Sequence, residues 1–220
     1  MNVISYINGD AKITDFPACS ARPLALLVQA CNDLLASADG YLSPENSVLA
    51  LELAWRTAGT ADVCDAVVHA WLAELLTNHS WGVVQYARIS VIKAIVDIAE
   101  LHLQAAYGGI PTAAAWDAAD HALRTAARGM NPASNTAGSY AIRTSLEATA
   151  LVGNPLSPRT LDAVTAYALR AHALAHSTDR TSHTVEFTQQ AIRCWRDLAG
   201  IAASTGATVE IRHKSGGILA

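Results

Sequence analysis

Apolar residues recur at helical spacing along most of the chain and are densest between Trp81 and Tyr107. This stretch contains no proline, and most of its polar residues fall on one narrow line, formed by Tyr86, Ser90, Lys93, Asp97, Glu100 and Gln104. A helix that is apolar around most of its circumference must be covered on most sides. At about 1.5 Å per residue it would be roughly 40 Å long. The pattern therefore predicts a long central helix.

Start and stop signals divide much of the remaining chain into further helices. Ser43-Pro44 and Ser157-Pro158 each place a capping serine before a proline in the first helical turn, and Gly108-Gly109 ends a helix. The final helix, from about His183 to Ser204, has two adjacent apolar lines, which predicts that it packs beside the central helix. About eight helices with short connections favour an antiparallel, bundle-like arrangement in a single domain over residues 1–220.

Both ends of the chain show a β pattern. Asn8-Gly9 is the preferred pair for a two-residue type I′ turn, and alternating residues flank it. This predicts a hairpin over residues 2–15, with Ile4, Tyr6, Ala11 and Ile13 on one face. Residues 207–213 also alternate with period two and supply a candidate third strand. The predicted fold is therefore mainly α with a small β-sheet made from both termini.

The composition bears on partners and location. Apolar residues make up 51% of the chain and charged residues only 15%, against about 25% in an ordinary domain. So little charge favours burial of some surface against another copy of the chain, the alternative being a monomer with a surface rich in alanine, serine and threonine. The net charge of −4, without a basic stripe, gives no support for nucleic-acid binding. With no signal peptide and no apolar run of membrane length, a cytoplasmic protein without a membrane contact is expected.

The eight histidines offer the clearest candidate chemistry. His172 and His176 are four residues apart on a predicted helix, so both rings point the same way and could ligate a divalent transition metal. The pairs Asp65/His69 and Asp117/His121 repeat this spacing, but their helical periodicity places them on solvated faces. The four cysteines lie far apart without a CxxC pair, which indicates neither a zinc finger nor a disulfide framework.

Two further features leave alternatives open. Arg88 and His102 lie at opposite ends of an apolar line on the long helix, where each is either buried and hydrogen-bonded or reaches water at a helix end. The small, polar loop from Gly129 to Ser139 is long enough to be functional, and Gly138-Ser139 before a helix could offer backbone N–H groups to an anion.

Two short resemblances accompany these patterns. The segment ISYINGDA, residues 4–11, looks like the first strand of ADP-ribose-binding macro domains. His69 with His172 and His176 is similar in outline to the histidines of helical metalloproteins of the damage-inducible bundle type, which implies a metal site between helices. The first covers eight residues and the second three histidines, so the sequence is assigned to no family.

The chain contains no GxSxG, HExxH or paired-carboxylate motif. The sequence therefore favours a helical protein-interaction module, such as a scaffold, regulator or immunity-type partner, that self-associates and needs no cofactor. The alternative is a metal-dependent hydrolase or transferase of the helical-bundle type that uses His172 and His176.

Overall fold

The computed structural model describes residues 1–131, 133–151 and 156–201. These residues form a 3₁₀ turn at Val83–Tyr86 and nine α-helices: α1 Asn2–Asn8, α2 Arg22–Leu35, α3 Pro44–Thr57, α4 Asp65–Thr77, α5 Ile89–Ala106, α6 Ala113–Ala126, α7 Ala137–Thr149, α8 Pro158–Ala175 and α9 Arg180–Leu198. The prediction of a mainly α fold is confirmed. None of the described helices combines the length and the apolar character needed to cross a membrane.

The predicted capping serines begin their helices as expected. The Ser43 hydroxyl accepts a hydrogen bond from the Asn46 N–H at 3.1 Å, and the Ser157 hydroxyl accepts one from the Thr160 N–H at 3.4 Å. In both helices proline occupies the first turn, where its missing N–H costs no intrahelical bond. Local sequence signals therefore fix where α3 and α8 begin.

The predicted β-sheet is wrong. Residues 2–8 form α1, and Gly9 ends that helix with a left-handed φ of 77°. A type I′ turn requires a positive φ at both central residues, whereas Asn8 is helical and only Gly9 is left-handed. Asn-Gly therefore serves as a helix C-terminus, a role that glycine fills as readily as a hairpin turn. The described residues contain one isolated bridge, between Ser20 and Ala58, and no strand; residues 207–213 lie outside the described part of the chain.

The prediction of a long central helix is also wrong, because the stretch from Trp81 to Tyr107 forms a 3₁₀ turn and a separate α-helix. The 3₁₀ turn ends at Tyr86, and Arg88, with an extended ψ of 151°, is the N-cap of the 18-residue α5. Gly82 lies tightly against the preceding helix end, where an added Cβ would come within 2.5 Å of the Asn78 backbone nitrogen. The 3₁₀ turn packs against α4, α7 and α8 and buries Val83 completely. Tertiary packing of this turn therefore overrides the helical periodicity.

Two tryptophans join α4 to α9 in the core. The rings of Trp71 and Trp195 meet edge to face with centroids 5.4 Å apart, and both side chains are almost fully buried. The indole N–H of Trp71 donates to the Ala191 carbonyl at 2.9 Å, so its one polar group is satisfied. The other main neighbours of α9 are α2 and α8. The predicted long helix contacts α9 through Trp81, whose ring packs on Phe187.

The connection between α8 and α9 determines where the candidate histidines of these helices lie. These helices form a hairpin, since α8 ends at Ala175 and α9 begins at Arg180 after a short turn. The last turn of α8 and the first turn of α9 are therefore adjacent. His172 in the last turn of α8 and Phe187 of α9 contact the segment that contains Trp81 and Tyr86.

Candidate metal centre

Three histidines meet at the α8–α9 turn. His172 lies in the last turn of α8, His176 follows the end of that helix, and His183 lies in the first turn of α9. One ring nitrogen from each lies within 4.8 Å of the other two, which makes this the one group of three or more metal-ligating side chains in the described ranges. The structure thus places the predicted pair side by side, with ring centroids 4.7 Å apart, and adds His183.

Hydrogen bonds at Nδ1 orient two of these rings. Nδ1 of His176 lies 3.0 Å from the His172 backbone carbonyl, which can only accept, so Nδ1 carries the proton. Nδ1 of His172 lies 2.5 Å from the hydroxyl of Tyr86. Metal-ligating histidines usually donate their second ring N–H in this way, which fixes the ring and leaves the other nitrogen for the metal. In His176, and in His172 when it donates to Tyr86, the free ligand atom is Nε2.

Burial keeps the central histidine neutral. His172 is only 5% exposed, and burial, followed by the neighbouring His176 and His183, lowers its pKa to about 4. At pH 7 its ring therefore carries no extra proton that a metal would have to displace. Burial also raises the pKa of the Tyr86 phenol well above its usual range, so the phenol remains a neutral hydrogen-bond partner.

The three rings open into a small cavity of about 170 Å³. Phe187 is buried against His172, with ring centroids 4.8 Å apart, and supplies an apolar wall. Glu186 is the single acidic residue among the described residues that line the cavity, and its carboxylate oxygen lies 3.9 Å from Nδ1 of His183. That separation is too long for a direct hydrogen bond but fits a bridging water. The site therefore combines three nitrogen donors, one carboxylate and room for a small ligand.

A second pair of histidines lies elsewhere in the core. Nδ1 of His69 on α4 lies 2.9 Å from Nδ1 of His102 on α5, and His102 also packs edge to face on Trp116. The prediction that His69 faces solvent is wrong, because it is only 9% exposed. Of the two alternatives for His102, the structure supports the buried one, at 0% exposed. Burial first, and then His69, lowers the pKa of His102 to about 3.

The other candidates contribute less. Arg88 and His121 are exposed, in keeping with the solvated face expected for His121. In the loop from Gly129 to Ser139, the Ser139 N–H already donates to the hydroxyl of Thr136, the cap of α7. The Ser139 hydroxyl in turn donates to the Asn131 carbonyl. The predicted anion site therefore has no open donor at Ser139.

Sequence reasoning missed His183 and Tyr86. His183 is seven residues beyond His176, across a polar turn between two helices, and an antiparallel hairpin brings these positions together. That spacing was a usable signal. Tyr86 is 86 residues from His172 and reaches it only because the 3₁₀ turn interrupts the expected helix, which no local pattern indicates.

No family model matches this chain, and neither a curated protein nor a solved structure matches it. Its function therefore has to be argued from the site geometry alone.

Proposed function

We propose that the protein binds one divalent transition-metal ion, most simply Zn²⁺, through His172, His176 and His183, and uses it to activate a water molecule for hydrolysis. The observation that carries the proposal is the convergence of three imidazole nitrogens within 4.8 Å at the wall of a cavity. Catalytic zinc sites commonly take three protein ligands and leave the fourth position to water or substrate.

Closing the site around an ion requires a small rearrangement. Zinc–imidazole bonds are about 2.0–2.1 Å long, so the nitrogens of a tetrahedral site are separated by about 3.3 Å. His183 is half-buried at the start of α9, and its ring stacks on that of His176 with centroids 3.8 Å apart. Rotation of the His183 side chain away from this stack supplies the contraction without moving either helix. The hydrogen bonds at His172 and His176 already hold the other two rings.

The cavity supplies the rest of the chemistry. Imidazole ligands add no negative charge, so an ion held by these three histidines would keep its full positive charge and would lower the pKa of a bound water to about 7. Glu186, the acidic residue of the lining, accepts the proton that this water loses. The ion would thereby supply a nucleophilic water for the carbonyl carbon of a small ester or amide, and Glu186 would return the proton to the alcohol or amine that departs when the acyl C–O or C–N bond breaks.

Zinc binding tests the first half of the proposal. Protein stripped with a chelator and dialysed against micromolar zinc should retain one ion per chain. His183→Asn should lower the affinity at least tenfold, whereas His121→Asn, which changes an exposed histidine on α6, should bind like the wild type. Equal zinc affinity in the wild type, His172→Asn and His183→Asn would show that the cluster is not the site.

Hydrolysis tests the second half separately. The zinc-loaded protein should hydrolyse 4-nitrophenyl acetate faster than the stripped protein. Glu186→Gln should keep the zinc but lose most of this activity, since an amide does not accept the proton. Stoichiometric zinc without any zinc-dependent hydrolysis would contradict the catalytic step while leaving the metal site intact.

A second candidate function is self-association through α5. An exposed apolar face of this helix favours it. Ile89 at the start of the helix and Tyr107 just after its end are 89% and 87% exposed, and Ile92 and Leu103 lie between them at 36% each. Lys93 lies in the first half of α5 and Glu100 in the second, and both are exposed. Two copies packed antiparallel about a two-fold axis would join these apolar stripes and place each Lys93 opposite the other copy's Glu100.

Sedimentation equilibrium tests the pairing of two copies. The 23.1 kDa chain should sediment at twice that mass at micromolar concentration. Lys93→Glu should weaken the dimer, and adding Glu100→Lys should restore it. A single species of about 23 kDa at every concentration would contradict self-association.

A further inference from the structure

A second cavity lies between α2, α8 and the segment that leads into α7, and the proposed metal centre does not use it. Its volume is about 350 Å³, at the lower end of the range for small-molecule sites. Leu34 of α2 and Leu169 and Leu174 of α8 give it an apolar lining. The lining shares no residue with the cavity of the three histidines. The two sites are therefore chemically separate.

Two arginines belong to the lining of this cavity. Arg170 of α8 and Arg180 at the start of α9 both line it and are both exposed. Among the described residues, neither has a carboxylate oxygen within 4.0 Å. Asp33 is the one acidic residue among the described residues of the lining, and it is exposed on α2. The lining therefore includes two guanidinium groups that have no ion-pair partner in the described part of the chain.

Tyr140 shows the effect of this positive charge. Its phenol lines the cavity and is 6% exposed. A hydrogen bond from Arg170, followed by the charges of Arg170 and Arg143, lowers the pKa of this phenol below its usual range. Arg143 also stacks over the Tyr140 ring, 4.6 Å from its centroid. A negative charge is thus favoured beside Arg170, one of the two lining arginines without an ion-pair partner.

We propose that this cavity binds a small amphipathic carboxylate, with its carboxylate held between Arg170 and Arg180 and its hydrocarbon chain against Leu34, Leu169 and Leu174. Guanidinium groups bind carboxylates through paired N–H donors, which gives direction as well as charge. The apolar lining contributes by removing hydrocarbon surface from water. The volume accommodates a chain of about eight carbons, a size that suits octanoate better than a long-chain fatty acid.

Calorimetric titration with octanoate tests the site on the full chain. We expect saturable binding of one octanoate per chain, with octanol, which has the same chain length and no charge, binding at least tenfold more weakly. Arg170→Gln and Arg180→Gln should each weaken octanoate at least tenfold, whereas Arg159→Gln, which changes an exposed arginine at the start of α8, should not. Equal binding of octanol and octanoate, or wild-type affinity in both arginine variants, would overturn the proposal.

A second readout separates ligand binding from a change in folding. A carboxylate that takes over the Arg170 contact should raise the pKa of Tyr140, measured by absorbance at 295 nm with Tyr140→Phe as the reference. Octanoate binding should be unchanged in His183→Asn and in chelator-treated protein, because the carboxylate cavity does not depend on the metal centre. No tyrosine shift at saturating octanoate would contradict the proposed position of the carboxylate.

Discussion

The buried pair His69 and His102 should make the protein sensitive to mild acid. His102 is 0% exposed and has a pKa of about 3 in the folded chain, whereas an unfolded chain would titrate it at 6.5. Because the folded pKa is the lower one, the unfolded state binds the extra proton between these values, and stability falls as the pH falls. At pH 5, about 1.5 units below the pKa in the unfolded chain, one such group lowers the free energy of unfolding by about 2 kcal/mol. Burial lowers the pKa of His69 as well, which adds to the loss in the same direction.

The measurement is urea unfolding followed by circular dichroism at pH 7 and pH 5, on chelator-treated protein. Replacing His102 by asparagine keeps a polar atom near Nδ1 but removes the titrating group. Between these two pH values, the free energy of unfolding of the wild type should fall by about 2 kcal/mol more than that of His102→Asn. His121→Asn, which removes an exposed histidine, should retain the wild-type pH dependence. Identical pH dependence in the wild type and His102→Asn would refute the assignment of a neutral buried His102.

Two further predictions concern the metal centre and the core. Tyr86→Phe removes the hydrogen bond to Nδ1 of His172 and should weaken zinc binding by about 10- to 100-fold. Competition with a chromogenic chelator measures this affinity. Tyr107→Phe, which changes an exposed tyrosine, should leave the zinc affinity unchanged. Trp71→Ala should lower the unfolding free energy by about 3–5 kcal/mol, because it leaves a cavity between α4 and α9. Trp55→Ala, at a position 39% exposed on α3, should cost far less; equal losses in urea melts would contradict this account of the core.

Local signals predicted the helices but not the two places where tertiary packing determines the backbone conformation. The Ser-Pro starts of α3 and α8 depend only on neighbouring residues, and both were predicted correctly. Asn8-Gly9 is compatible with a hairpin turn and with a helix C-terminus, and the burial of Ile4 in the core accompanies the helical form. The interruption at Val83–Tyr86 likewise depends on contacts with α4, α7 and α8, which periodicity does not encode.

The candidate site shows the same division. The spacing of His172 and His176 indicated two adjacent rings, and the structure places them side by side. The prediction for His69 was wrong because its predicted helical line includes Asp62 and Asp65, which indicated a solvated face. In the structure α5 packs against α4 and buries the histidine. The carboxylate cavity had no signal in the sequence, since Leu34, Tyr140 and Arg180 belong to three separate helices.

The most direct test of the metal centre is an anomalous difference map from crystals of zinc-loaded protein, collected at the zinc absorption edge. We expect one strong peak per chain, about 2.0–2.1 Å from one ring nitrogen each of His172, His176 and His183, with a fourth ligand on the cavity side. The nitrogen should be Nε2 in His172 and His176, because their Nδ1 atoms remain bonded to Tyr86 and to the His172 carbonyl. The absence of a peak between these three rings, or a zinc ion bound at other residues, would contradict it.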